Sequence, residues 1–303
     1  MAIIEVRGLR RTYGEVTAVE HIDLDVAEGE IFGLLGPNGA GKTTTVECIA
    51  GLTRPSAGTV RVAGIDPYAD RVAATSLIGV QLQQAGLQAK LTVREALELF
   101  AAFYPDPADG LAMAGQLGLG EKLDARYASL SGGQQQRLAI ALALVGRPRV
   151  ALLDELTTGL DPASRRTVWQ LVEQVRAEGT TIVLVSHLMP EVQRLCDRLA
   201  LLDRGRVVAL DSPAGLIAAS ATPTAMSFSP DAPVDVARLR SVEGVAEVRE
   251  RGGRLELLAD DAAVLAVLGL LARLDVRPER LRVTQSTLDE AYLSLVGTDE
   301  SEI

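Results

Sequence analysis

Along the first two hundred positions, short runs in which nearly every residue is apolar alternate with longer stretches of helical period. The short runs are EIFGLLG at 30–36, RVALLDE at 149–155, TIVLVSH at 181–187 and LALLDRG at 199–205. Each is too short for a buried helix and rich in Leu, Val or Ile, which predicts strands of a parallel sheet covered on both faces. Strands alternating with helices predict an α/β domain from residue 1 to about 215. Between Leu82 and Pro148 the strand runs vanish, starting with LTVREALELFAAFY, where Thr92 and Glu95 form a capping box. A helical insertion of about 84–148 follows.

The segment SATPTAMSFSPDAPVD at 220–235 is rich in Ser, Pro, Thr and Ala and reads as a hinge. It divides the chain into a domain of 1–219 and a smaller one of 220–303. The smaller one reads as strand 224–229, helix 234–240, strand 245–251, an RGG turn, strand 254–259, helix 261–274, strand 281–285 and helix 287–296. That order predicts a small α+β unit of ferredoxin-like type.

A length of 303 residues agrees with two domains, and 48% apolar with 23% charged residues is ordinary globular composition. The net charge of −10 argues against a nucleic-acid surface, so no nucleic-acid partner is expected. Cys48 and Cys196 lie far apart and outside any metal-ligand spacing, which predicts reduced thiols. MAIIEVRGLRR has no apolar stretch before its arginines, and the longest apolar runs, Leu138–Gly146 and Ala262–Ala272, fall short of the roughly 20 residues that cross a bilayer. The chain is expected in the cytoplasm.

GPNGAGKT at 36–43 follows a strand and opens a helix, the context in which GxxxxGK[ST] holds phosphate. Gly36, Pro37, Asn38, Gly39, Ala40 and Gly41 form the loop whose N–H groups wrap phosphate oxygens, and Thr44 continues the helix start. Lys42 is expected to reach the β- and γ-phosphates of ATP, and Thr43 to place its hydroxyl on Mg²⁺. Asp154 closes a buried strand, where a carboxylate is costly without a cation or hydrogen bonds, so it is the expected Mg²⁺ acceptor. Glu155 is the candidate to polarise the attacking water. Ser131 has the position of an N-cap, but capping alone does not call for Gly132 and Gly133, which weaken a helix start by roughly 1 kcal/mol each. A serine hydroxyl, bare glycine N–H groups and a helix N-terminus, with Gln134 beside them, form an anion site ready for nucleotide.

GPNGAGKTT, LSGGQQQR, ALLDE, TTGLDP and LVSH, in this order, resemble the ATP-binding subunit of an ABC transporter over residues 1 to about 215. The resemblance implies a P-loop NTPase fold with a parallel-strand core and N-terminal antiparallel strands. It implies that the Ser131–Gly132–Gly133 turn serves the ATP of a second chain, so that two chains sandwich two ATP molecules. It also implies that Tyr13 stacks on adenine, that Gln83 senses Mg²⁺ and water with Gln81 and Gln84 as alternatives, and that His187 contacts the γ-phosphate. Asp161 resembles the residue that reaches across the dimer, and it precedes Pro162 as an N-cap for the next helix. The sequence departs from the family at Leu156, where a proline is usual. The C-terminal segment ending in STLDEAYLSLVG resembles the extension of drug- and lipid-exporter ATPases of the daunorubicin-resistance type.

These expectations describe an ATPase at the inner face of the cell membrane, forming a homodimer or pairing with a second ATPase subunit, and driving a separate membrane-spanning permease. The rival is an ABC ATPase acting as a mechanical or regulatory switch without a transporter. One phosphate loop and no sustained heptads count against it. A nucleotide-binding regulator with negligible turnover is a third possibility.

Overall fold

The structure, a computed structural model, describes residues 1–81, 86–220, 223–284 and 287–296. Strands β1 (Ala2–Tyr13) and β2 (Val16–Ala27) lead to β3 (Ile31–Leu35), all five of whose residues are buried. The chain continues through α1 (Lys42–Ile49), β4 (Ala57–Val62), α2 (Arg71–Leu77) and β5 (Ile78–Gln81). Then come α3 (Val93–Ala101), α4 (Gly110–Gln116) and α5 (Gly132–Leu144), with no strand among the described residues between β5 and β6 (Val150–Asp154). The run ends with α6 (Pro162–Ala177), β7 (Thr181–Val185), α7 (Met189–Leu195), β8 (Arg198–Asp203) and β9 (Arg206–Asp211).

These strands form a nine-stranded sheet in the order β4-β1-β2-β9-β8-β3-β7-β6-β5. β8, β3, β7, β6 and β5 pair in parallel, whereas β1, β2 and β4 pair antiparallel. The four apolar runs read as strands are β3, β6, β7 and β8. Their near-continuous apolarity has its physical cause in this order: β3, β7 and β6 are interior strands with neighbours on both edges and cover on both faces. Phe32, Leu34, Leu152, Val183 and Val46 of α1 pack into one core. Thr92 caps α3 in a complete capping box with Glu95.

Contacts divide the chain into two compact units, Met1–Pro213 and Ala214–Ile303. The second contains α8 (Pro213–Ala219) for most of its length, β10 (Thr224–Pro230), α9 (Val236–Arg240), β11 (Val245–Arg251), β12 (Arg254–Ala259), α10 (Asp261–Arg273), β13 (Pro278–Thr284) and α11 (Leu288–Val296). Its sheet is antiparallel in the order β11-β12-β10-β13, the ferredoxin-like arrangement. Phe228, Leu257 and Val267 lie at the centre of its own core. Much of the Pro- and Ser-rich segment read as a hinge is β10, paired on both edges with β12 and β13. β13 begins at Pro278, three residues before the sequence suggested, because an edge strand tolerates proline at its first position.

Cys48 and Cys196 are free, buried thiols. Burial pushes Cys48 up to about 11 and raises Cys196 as well, so neither is poised as a nucleophile. Among the described residues no helix is long and apolar enough to cross a membrane.

Candidate functional site

The site grows from the carboxyl ends of β3 and β6, the edge where open α/β sheets place ligands. After β3 the chain must turn into α1 within six residues, and at two of them it packs too tightly against its neighbours to admit a side chain. A Cβ on Gly36 would run into the Leu202 carbonyl oxygen, and one on Gly41 into that of Ala18. Gly39 and Gly41 have φ of 82° and 95°, the left-handed region that favours glycine. Gly41 is the N-cap of α1 and supplies no side-chain cap, so the first N–H groups of the helix are not claimed by a capping side chain.

Asn38, Gly39, Gly41, Lys42, Thr43 and Thr44 line a cavity of about 220 Å³ together with Ala18, Asp154 and Glu155. Pro37 is exposed beside it and Ala40 is buried beneath the loop. Lys42 Nζ donates to the Gly36 and Pro37 carbonyls at 2.7 and 2.8 Å, which bends the ammonium back over the loop. Burial lowers the Lys42 pKa, opposed by the charges of Asp154 and Glu155. Thr43 Oγ1 donates to Asp154 Oδ2 at 3.3 Å. Asp154 is 1% exposed, and burial raises its pKa against the Thr43 hydrogen bond.

Among the described residues no group of three or more His, Cys, Asp or Glu is placed to hold a metal. The Thr43 and Asp154 oxygens are nevertheless the hard donors Mg²⁺ prefers, and it ordinarily keeps several waters and takes phosphate oxygens beside one or two protein ligands. The pair therefore fits a Mg²⁺ bound together with phosphate.

Glu155 stands one residue past β6 with φ of 52°, uncommon for a side chain other than glycine. Its N–H donates to the Val185 carbonyl at 2.9 Å. Gln136 Nε2 reaches from α5 to the carbonyls of Glu155 and Leu156 at 3.1 and 3.2 Å. Leu156 is fully buried. His187, two residues past β7, approaches Glu155 Oε1 with Nδ1 at 3.5 Å, and the two side chains are 52% and 24% exposed. The adjacent parallel strands β6 and β7 thus bring together residues 32 positions apart in the chain.

Other predicted residues lie apart from this cavity. Ser131 caps α5 by accepting from Gln134 N at 3.3 Å, while Gln134 Oε1 accepts from Ser131 N at 2.9 Å. Ser131, Gly132, Gly133, Gln134 and Asp161 are not among the residues lining the cavity. A Cβ added at Gly132 meets nothing within 4 Å, so this chain's own packing does not require glycine there. Asp161 caps α6, accepting from Ala163 N and Ser164 N at 3.0 Å each, and the Ser164 hydroxyl bond leads in holding its pKa low. Tyr13 is 44% exposed at the end of β1, with Arg11 stacked 4.2 Å from its ring centroid and its hydroxyl 3.5 Å from Glu47. Gln83 and its alternative Gln84 lie outside the described residues; Gln81 is buried at the end of β5.

Sequence reasoning missed Ala18 in the cavity wall, which only the pairing of β2 brings there. It also missed Gln136, whose signal was a third glutamine in LSGGQQQR with no role assigned.

A family model described as ABC transporter matches residues 19–158. Nod factor export ATP-binding protein I of Paraburkholderia xenovorans (strain LB400) is 44% identical over 223 residues, 72% of this chain and 73% of that protein. The protein of the same name from Ralstonia nicotianae (strain ATCC BAA-1114 / GMI1000) is 43% identical over 222 residues, 71% of this chain and 68% of that one. Among solved structures, an ATP-binding subunit of an ABC transporter superposes with a TM-score of 0.67 at 26% identity, covering 72% of this chain and 92% of that one. A dimeric ATP-binding cassette in a post-hydrolysis state bound to ADP and Pi superposes with a TM-score of 0.64 at 30% identity, covering 69% and 98%.

Proposed function

Because this chain belongs to the ATP-binding subunits of ABC transporters, we propose that two copies, or one copy and a paired ATPase subunit, close around two ATP molecules, each held between Lys42 of one chain and Ser131 of the other. The chain is the ATP-hydrolysing component of a transporter, and its closing and reopening drive a separate membrane permease. The observation that carries the sandwich is a mismatch within one chain. The phosphate loop, Asp154 and Glu155 share one cavity, while the Ser131–Gly132–Gly133 turn does not line it and carries a glycine its own chain does not need.

Within each site the residues divide the labour, a reading supported by the cavity that the phosphate loop shares with Asp154 and Glu155. The loop N–H groups and Lys42 hold the phosphates, whose oxygens take over the ammonium from the Gly36 and Pro37 carbonyls. Thr43 and Asp154 would hold Mg²⁺, which would supply charge neutralisation to the phosphates. Glu155 orients the attacking water and accepts its proton. His187 and Lys42 stabilise charge on the transferred phosphoryl group. Tyr13 offers an exposed ring for adenine, Asp161 faces the partner chain, and Gln83 completes the water and Mg²⁺ contacts.

Export as the direction is supported by the names of the relatives. The daunorubicin-resistance subgroup rests on the resemblance of the C-terminal segment, with the unit Ala214–Ile303 as an accessory domain that tunes dimer lifetime or permease docking. Binding to the permease would hold the chain at the inner face of the membrane.

Glu155→Gln tests the reading. The amide fits the same space but cannot accept the proton, so turnover falls by about 10² to 10⁴. ATP binding persists, and the variant sediments as a dimer when ATP is added. Parental turnover by this variant would remove Glu155 from its role, and a monomer in ATP would remove the sandwich.

A further inference from the structure

Glu191, in α7, is 1% exposed and does not line the nucleotide cavity. A buried carboxyl group is tolerated when hydrogen bonds replace its lost water. Three donors do so here, each from a different segment. Thr157 Oγ1 donates to Glu191 Oε1 at 2.7 Å, Trp169 Nε1 to the same oxygen at 2.9 Å, and Ser186 Oγ to Oε2 at 2.6 Å. The Ser186 oxygen in turn accepts from Leu188 N at 3.0 Å.

The segments joined are those that bear the chemistry. Thr157 lies two residues after Glu155, and Ser186 lies immediately before His187. The sheet holds β6 to β7 as far as the pair Asp154 and Val185, with one more bond from Glu155 N to Val185 O. Beyond that point the two chains leave the ladder, and side chains must set their separation. Glu155 also has its left-handed backbone, a conformation that persists only where the surroundings over-determine it. Thr157, fully buried two residues after Glu155, hydrogen-bonds that turn to Glu191.

We propose that Glu191 is a positioning residue for ATP hydrolysis: its carboxyl group ties the turn carrying Glu155 to the loop carrying His187 and pins both to α6 through Trp169. It touches neither nucleotide nor water. It acts by keeping the two side chains at the separation in which one serves the attacking water and the other the γ-phosphate. This inference rests on the roles given above to Glu155 and His187.

The test compares Glu191→Leu, Glu191→Gln and Thr157→Val in the full chain, with Glu155→Gln alongside, by steady-state ATPase kinetics, binding of a fluorescent ATP analogue and thermal unfolding. A misplacement of about 1 Å costs on the order of 10²-fold in rate, so Glu191→Leu should lose turnover by about that factor while the analogue's Kd changes by less than about twofold. Glu191→Gln keeps one oxygen for Thr157 and Trp169 and turns an amide toward the Ser186 oxygen, so it should recover part of the loss. Thr157→Val preserves volume and removes a single donor; it should lower kcat by about tenfold and leave binding intact, which keeps the test open if Glu191→Leu does not fold. Folded variants with parental kcat would overturn the proposal. So would kcat and nucleotide binding falling together in step with thermal stability, the mark of a purely structural carboxyl group. If Glu155→Gln is inactive while Thr157→Val and Glu191→Leu turn over normally, only this inference fails. If Glu155→Gln itself turns over normally, the assignment beneath it fails as well.

Discussion

At Asp154 the Mg²⁺-holding role proposed for it and the stability of the fold oppose each other. The carboxyl group is buried, its pKa is raised by that burial, and the Thr43 hydroxyl donates to it at 3.3 Å. A raised folded pKa means that the folded state binds the proton more tightly than the unfolded one. Stability therefore declines as pH rises from the ordinary aspartate range through the raised value, and the full penalty is present at neutral pH. Asp154→Asn removes the charge and keeps an acceptor for Thr43. In buffer without nucleotide it should melt higher than the parent at pH 7, and the gain should shrink as the pH falls below the raised value and vanish below the ordinary aspartate range. Part of the gain is offset because Asp154 also supports the Lys42 charge. The stabilisation by Mg-ATP, which both proteins can be titrated for in the same melting assay, should be largely lost in the variant. An Asn variant that melts lower at pH 7 and still responds to Mg-ATP would show that Asp154 is a structural acceptor. Functional residues held at a stability cost are common where a site must stay ready for a ligand.

At the level of elements, two helices begin with the same device and differ in what else the device does. Thr92 on α3 and Ser131 on α5 are both N-caps in complete capping boxes, with Glu95 and Gln134 as the reciprocal partners. Replacing either with alanine removes one capping bond, at about 1 kcal/mol of stability. The effects on turnover should separate them. Thr92→Ala should leave kcat at the parental value, whereas Ser131→Ala should lower ATPase activity beyond what its stability loss explains if its hydroxyl, as proposed, also meets ATP held by a partner chain. Denaturant unfolding and steady-state kinetics on the two variants check this directly. Equal kinetics would reduce Ser131 to a cap. The same contrast explains why Thr92 was readable as a cap and nothing more: it is followed by ordinary helix formers, while Ser131 is followed by two glycines that capping does not need.

For the whole molecule the decisive quantity is what one chain lacks. If each ATP is held by Lys42 of one chain and Ser131 of the other, then Lys42→Ala and Ser131→Arg chains are each inactive, and a mixture is not. In a mixed dimer the intact phosphate loop of the Ser131→Arg chain meets the intact turn of the Lys42→Ala chain, and the opposite site carries both lesions. With random pairing about half the dimers are mixed and each has one working site of two, so independent sites recover about a quarter of parental activity under two-fold symmetry. Strict coupling between sites lowers that fraction but leaves one ATP bound per mixed dimer, so binding is measured beside turnover. Folded chains that exchange partners and yet neither bind nor hydrolyse in the mixture would show that the turn serves its own chain.

How much of this was readable depends on how local the physics is. The strands β3, β6, β7 and β8 announce themselves because burial on both faces leaves an uninterrupted apolar run, and the phosphate loop because its glycines, lysine and threonine act within eight consecutive residues. The caps of α3, α5 and α6 are equally local, each a side chain bonding to N–H groups two or three residues on. The position of β10 was readable too, yet its place at the centre of a sheet was not, since a Pro- and Ser-rich segment becomes a strand only when β12 and β13 pair with it. Ala18 in the cavity wall, the approach of His187 to Glu155 and the left-handed turn at Glu155 came only from strand order, which sets residues 32 positions apart side by side. Glu191 is the clearest case. Nothing within three residues of it marks a buried acceptor, because its donors come from Thr157, Trp169 and Ser186, and it took the packing of α6 and α7 against the strand ends to bring them to one carboxyl group.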